Sequence, residues 1–492
     1  MNISRLFLAT ALIVISLTSC FNKKATADIE GLWVSTEEAS SQFQPGADKA
    51  SLLIKRDSTE TLTACGFFLR NGEFVQEWNF INVRYDTNEK RISLVDSDSD
   101  TLICSLDAEN GILKRDNTPG EPLNFVRADK KLEIRLLYPR IPDKDGQIIH
   151  RYKKPEQVDD GLQTESIYNY STDSSSISNL MKEVIDQKYG RIKSLLILKN
   201  SKLIAEEYFY GYTRNDLQQI RSCTKSVTSI LFGIALDHHK RADIRQPVFN
   251  FFPNYDSLKS EGREEITLKN ILTMTAGLEW NDYPKEMFNS NDCFKYILSR
   301  PMESKPGVKF NYNSGGSVLL GGVIQFLEAE KPLVFAEEFL FTPLGITSYI
   351  WESHKNDILR CGEGLSLRPR DMAKIGLLVL NEGKWHNEQV VSKQWIREST
   401  KPLVQESKFF NYGYQWWHHS KNNLDWWKEP DAISPNEHDL IIALGHGGQY
   451  IMIIRDLNLV IVTTASDFED GRMALSKIPM VIEKIIPIFE DA

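Results

Sequence analysis

The placement of apolar runs after residue 176 most constrains what this chain can fold into. Two strand-like runs open that region, SLLILKN (194–200) and KLIAEEYF (202–209), with a turn near Asn200-Ser201. More strands close it in DLIIALGHGGQYIMIIRDLNLVIVTTAS (439–466), which turns again at Asp456-Leu457-Asn458. Between these lies a long stretch that reads mainly as helix. Strands supplied by both ends of a domain, with helices between them, favour one antiparallel sheet covered by helices. Such a sheet brings the start and finish of the domain together. A helix (NLMKEVIDQKYG, 179–190) precedes it, and an apolar helix (MALSKIPMVIEKIIPIF, 473–489) is predicted to end it.

Residues 28–140 read as a separate all-β domain. Short alternating runs (SLLIKR, TLTACGFFLR, FVQEWNFINVRY, RISLVDS, TLICSLD, LNFVRA, LEIRLLY) are punctuated by turn residues. Asn71-Gly72 is the best hairpin signal, because a two-residue type I′ turn needs positive φ at both positions. Strands joined by short turns predict a small barrel or sandwich. The opening IEGLW, through Gly31 and Trp33, resembles the first strand of lipocalin-like modules. Such a domain either binds a ligand or protein partner or acts as a spacer. Residues 141–175, with PDKDGQ, KKPEQVDDG and STDSSS, are polar and read as a linker to the domain at 176–492. The expected fold class is therefore α+β, preceded by a small all-β domain.

The first nineteen residues read as a signal peptide: Arg5, an apolar core from Leu6 to Leu17, then small residues. Leu17-Thr18-Ser19-Cys20 resembles the bacterial lipobox, which implies a lipid on Cys20, a tether over 20–27, and export to a bacterial membrane facing the periplasm or cell surface. The alternative is a plain signal peptide with an incidental cysteine. Cys65 and Cys104 both lie in β-rich sequence and form the candidate disulfide. A net charge of −9 argues against a nucleic-acid partner, since phosphate binding needs clustered Lys and Arg.

RSCTKSV (221–227) stands just before the apolar run ILFGIAL. Val227, Ile230, Leu231 and Ile234 fall at helical spacing. Ser222 and Lys225 are three apart, so they share one face of that helix. A lysine serves as a base when burial or the positive end of a helix lowers its pKa. Ser222 and Lys225 are thus either nucleophile and base or an N-cap followed by a surface lysine.

Three further stretches bear on that choice: ITLKNILTMTAGLEW (266–280), PGVKFNYNSGGSVLLGGVI (306–324) and LGHGGQYIMII (444–454). With them the sequence resembles the β-lactamase-related serine hydrolases, a family that includes class C β-lactamases, D-alanyl-D-alanine carboxypeptidases, carboxylesterases and 6-aminohexanoate-dimer hydrolases. Its elements Ser-x-x-Lys, Tyr-x-Asn/Ser and Lys/His-x-Gly occur here in order, and the likeness extends over 176–485. It also takes in GEGLSLRPRDMAKIGLLVLNEGKW (362–385), read as structural.

The resemblance implies that Ser222 is the nucleophile, Lys225 its base, and Tyr312 the group that shares the proton and delivers it to the leaving group. Ser314 stands where many relatives carry Asn, implying a bond to substrate or to Lys225. The backbone N–H groups of Ser222 and Gln449 would form the oxyanion hole, with Gly447 and Gly448 allowing close approach of substrate.

His446 departs from the lysine usual in β-lactamases and carboxypeptidases, a permanent cation that attracts the substrate's carboxylate; imidazole is largely neutral at pH 7. An esterase or amidase near the 6-aminohexanoate-dimer hydrolase branch is the expected activity, on a small-molecule or peptide acyl substrate. The rivals are a D-Ala-D-Ala carboxypeptidase or β-lactamase, and a non-catalytic receptor for cell-wall fragments. Trp280 and Tyr283, and the aromatics of YGYQWW (412–417) with Trp426 and Trp427, are candidate substrate contacts or core aromatics. His238-His239 and His418-His419 lack partners at metal-like spacing, so neither metal nor cofactor is expected.

Overall fold

The computed structural model describes residues 29, 31–36, 49–56, 62–70, 73–86, 88–96, 101–107, 110–115, 124–129, 139–140, 150–170, 174–281, 284–419, 438–468 and 470–490. They fall into two compact units, Met1–Glu133 and Ile134–Ala492.

The first unit is a closed antiparallel barrel of β1 (Gly31–Ser35), β2 (Lys49–Arg56), β3 (Leu62–Arg70), β4 (Glu73–Asp86), β5 (Arg91–Asp96), β6 (Thr101–Asp107), β7 (Ile112–Arg115) and β8 (Asn124–Arg127). β1 pairs with both β2 and β8, which decides between barrel and sandwich and leaves no free edge. Arg70 pairs with Glu73 across Asn71-Gly72, a turn that itself lies outside the described residues, as does LEIRLLY. β7 was not expected, because four residues give too little alternation to read. A barrel of this size fills its interior with side chains. Trp33, Leu52, Ile54, Ile92, Leu94 and Leu113 are among those buried. The Trp33 indole N–H donates to the Ile29 carbonyl at 2.9 Å. The expected Cys65–Cys104 disulfide is not formed. The two cysteines stand on β3 and β6, which two strands separate.

The second unit is built on a sheet of nine strands among the described residues. These are β9 (Gln163–Thr164), β10 (Ile192–Lys199), β11 (Lys202–Tyr208), β12 (Val404–Gln405), β13 (Asn411–Tyr412), β14 (Trp417–His419), β15 (Leu440–Gly445), β16 (Gln449–Ile454) and β17 (Leu459–Ala465), in the order β12-β13-β14-β15-β16-β17-β10-β11-β9. The first and last long runs meet at the centre, where β10 pairs antiparallel with β17. Asn200 and Ser201 have φ of 50° and 63°, the left-handed pair that a two-residue hairpin turn needs. β9 pairs in parallel with β11, so part of the stretch read as a linker extends this sheet.

Both faces of the sheet are covered, which explains runs that are apolar throughout rather than alternating. Leu196, Leu198, Ile451, Ile453, Val460 and Val462 face one core. Leu195, Ile197, Met452, Ile454, Leu459 and Ile461 face the other. On the first face lie the helices α2 (Cys223–His238), α3 (Leu268–Leu272), α4 (Ser314–Glu328) and α5 (Pro369–Leu380). On the second lie α1 (Ser174–Ile185) and the C-terminal segment. The closing helix expected over 473–489 is present, with right-handed helical backbone at its junctions, but its hydrogen bonding shifts to a π-type stretch at Val481–Ile485. Pro487 lacks a backbone donor, so the helical ladder cannot run through it unchanged.

Candidate active site

Helix α2 is buried on all sides from Cys223 to Ala235, beyond the apolar stripe its sequence suggested. Several of its hydroxyls find backbone partners. Ser226 Oγ donates to the Gln415 carbonyl at 2.7 Å, and Thr228 Oγ1 to the Cys361 carbonyl at 2.9 Å. Ser222 occupies the N-cap position, yet its hydroxyl makes no capping bond. Lys225 Nζ donates to Ser222 Oγ at 3.0 Å and to the Gly362 carbonyl at 2.7 Å. Ser222 is 7% exposed and Lys225 1%, so this pair sits in a nearly dry niche. The amide N–H groups that open α2 add partial positive charge beside the hydroxyl.

Tyr312 enters from the segment before α4. Its ring centroid lies 4.8 Å from Lys225 Nζ, and it stacks on Trp417 with centroids 5.7 Å apart. The Asn313 side chain caps α4 by accepting from the Gly316 N–H at 3.0 Å, which fixes where the preceding tyrosine points. Ser314 is fully buried and packs on Gly362, where a Cβ would come within 2.7 Å of the Ser314 carbonyl oxygen. Serine, lysine and phenol thus converge from sites 90 residues apart in sequence; the alcohol–amine hydrogen bond and the adjoining ring form an arrangement able to move a proton off Ser222.

The β15–β16 hairpin forms the next wall, with Gly445 paired to Gln449 and a turn at 446–448 between them. Cys223 Sγ contacts the Ala443 and Gln449 carbonyls at 3.4 and 3.2 Å, so the start of α2 lies against this ribbon. Gly447 and Gly448 have φ of 79° and 91°, a conformation that other residues adopt only under strain. Gln449 is buried, and its amide bridges to Ala465. His446 is exposed at the tip, its ring 5.5 Å from Phe468.

Trp280 is placed in the apolar core, 6% exposed and packed on Gly315 at the start of α4. Cys20, Tyr283, Trp426 and Trp427 lie outside the described residues. Sequence reasoning missed Gly362, which it had treated as structural; the signal was a Gly-Glu-Gly turn before a strand. Trp417, the last residue of the YGYQWW stretch read as pocket or core aromatics, backs the Tyr312 ring.

The model of the beta-lactamase family matches residues 184–479, well over half of the chain. The chain belongs to the beta-lactamase family. Of the curated relatives, protein flp from Staphylococcus aureus (strain MRSA252) is 24% identical over 177 residues, 33% of this chain and 35% of that protein. The chain thus matches about a third of the length of that relative. The 6-aminohexanoate-dimer hydrolase of Paenarthrobacter ureafaciens is 20% identical over 312 residues, 56% of this chain and 72% of the relative. Among solved structures, a provisionally assigned beta-lactamase from Bacteroides dorei DSM 17855 aligns with a TM-score of 0.53 at 16% identity, covering 64% of this chain and 99% of that one. A class C beta-lactamase aligns at 0.50 and 16% identity, covering 64% and 95%. At these identities the structural likeness is one of fold, and the beta-lactamase fold is the one seen here.

Proposed function

We propose that the second unit hydrolyses an ester or amide bond through an acyl-enzyme on Ser222. The observation that carries this reading is the buried Lys225–Ser222 hydrogen bond beneath the Tyr312 ring. In the proposed reaction Ser222 Oγ attacks the substrate carbonyl while Lys225 takes its proton. The tetrahedral oxyanion is held by the N–H groups of Ser222 and Gln449. The C–O or C–N bond then breaks, and Tyr312 passes the proton to the departing oxygen or nitrogen. Water repeats the sequence on the acyl-enzyme and releases the acid.

The proposed substrate class rests on the hairpin tip and on the rings beside Lys225. An imidazole at the hairpin tip replaces the permanent ammonium that would attract a carboxylate. A ring cluster of Tyr312, Trp417, Tyr412 and Phe310 adjoins the site. Both features favour an acyl compound without an obligatory carboxylate, processed by an esterase or amidase. In this reading the chain is exported and held to a membrane by a lipid on Cys20, motivated by the LTSC sequence.

The test is a panel of p-nitrophenyl esters, aryl amides, a chromogenic cephalosporin and a D-Ala-D-Ala stem peptide. Turnover of esters or amides that outpaces the two carboxylate-bearing substrates supports the proposal. Preferential release of D-alanine, or cephalosporin opening, points to the carboxypeptidase or β-lactamase reading and overturns it. Covalent capture without product release on any substrate overturns it in favour of a receptor.

A further inference from the structure

All three carbonyls of the hairpin turn that carries His446 are bound from behind. The His446 carbonyl accepts from Gln449 Nε2 at 3.3 Å, the Gly447 carbonyl from the Asp467 N–H at 3.1 Å, and the Gly448 carbonyl from Thr463 Oγ1 at 3.0 Å. Because each peptide unit is planar and trans, holding the Gly448 carbonyl on Thr463 points the Gln449 N–H the opposite way.

Asp467 is the hub of this support. Besides its own N–H on Gly447, its Oδ1 accepts from the Arg191 N–H at 2.8 Å, tying the turn to the start of β10. Its Oδ2 pairs with Lys477 Nζ. Lys477 is fully buried and also donates to the Met473 carbonyl at 2.7 Å. Its side chain fills the space behind Gly448: a Cβ there would stand 2.9 Å from Lys477 Cε and 3.1 Å from Nζ. A buried ion pair is weak evidence for stability, since desolvating two charges offsets most of their attraction. Its position directly behind the two-glycine turn gives it another use.

We propose that Asp467 and Lys477 are positioning residues for the reaction at Ser222: together they hold the 446–449 turn so that the Gln449 N–H stands where the oxyanion forms. The proposal rests on the Ser222 acyl-enzyme reading. Neither residue touches substrate. Their effect falls on the transition state, because a misplaced donor weakens binding of developing charge and leaves ground-state binding alone.

The test follows the rate at which a fluorophosphonate modifies Ser222 in the full chain, resolved into a saturation constant and a maximal rate. Asp467→Asn keeps the shape and the bond from Arg191; Lys477→Met keeps most of the stem. Both variants are expected to lose between about tenfold and a hundredfold in maximal rate, as for an ångström-scale misplacement, with the saturation constant unchanged. Amplitudes at long exposure give the fraction of folded sites, so a partly unfolded preparation lowers the amplitude and leaves the rate readable. Wild-type rates in both variants would overturn the proposal. A change confined to amplitude, or to the saturation constant, would overturn it too. Failure of the wild-type chain to label at Ser222 would instead overturn the acyl-enzyme reading on which the proposal rests.

Discussion

Lys225 Nζ sits between two oxygens, 3.0 Å from Ser222 Oγ and 2.7 Å from the Gly362 carbonyl. The carbonyl anchors the amine, and in the proposed mechanism the hydroxyl is its reaction partner. Lys225→Met fills the same channel but removes the proton acceptor. Turnover should fall by about 10²–10⁴-fold, the range for loss of a general base. The orphaned Gly362 carbonyl should cost about 1–3 kcal/mol of stability. Ester kinetics and urea unfolding measure both. Turnover within a factor of three of wild type would remove Lys225 from the mechanism.

Tyr312→Phe separates the ring from the hydroxyl. The ring's stacking on Trp417 and its place beside Lys225 are kept, so thermal stability should hardly move. Turnover should drop by about 10²–10⁴-fold through the lost proton relay. A variant that unfolds earlier while turning over normally would mean that Tyr312 is only a wall.

Gln415 holds three elements behind the site. Its Nε2 donates to the Leu272 carbonyl at 3.0 Å, Ser317 Oγ donates to its Oε1 at 2.5 Å, and its own carbonyl accepts from Ser226. It does so at a φ of 67°. Gln415→Ala should destabilise the unit by about 1–3 kcal/mol, because buried partners lose their bonds. Gln415→Gly should lose the same bonds but relieve the strain, leaving it the more stable of the two variants. Denaturant midpoints decide the order.

His354 supplies a pH dependence. Burial, with the nearby Arg360 guanidinium second, pushes its pKa down from 6.5 to about 4. The folded chain therefore binds fewer protons at this site than the unfolded chain between those values. Its stabilising contribution is complete above pH 6.5 and is lost as pH falls through the window to about 4. Unfolding free energy followed from pH 7 to pH 4 should decline less steeply in His354→Leu than in the wild type. Parallel slopes would contradict the assignment.

What the sequence revealed was what short-range geometry fixes. Ser222 and Lys225 meet because three residues make nearly one helical turn. The β10–β11 hairpin was legible from two apolar runs and a two-residue gap that only a left-handed turn closes. The roles proposed for Tyr312 and Gln449 came from ordered motifs shared with a family. Groups supplied by distant chain stayed hidden: the Gly362 carbonyl, the Gln415 bonds and the Asp467–Lys477 pair carry no local pattern. Trp280 read as core ahead of pocket, but both stayed open, since an aromatic side chain alone does not say which side of a helix it meets. The π-type stretch in the closing helix was foreshadowed by Pro487, which the apolar periodicity masked.

The central claim is that Ser222 is a nucleophile. Incubating the full chain with a fluorophosphonate, digesting it and locating the adduct by mass spectrometry tests this most directly. The account predicts one stoichiometric phosphonyl group on Ser222, absent from Ser222→Ala, with all turnover lost in that variant. An adduct on another residue, or a Ser222→Ala protein that hydrolyses its substrate at the wild-type rate, would contradict it.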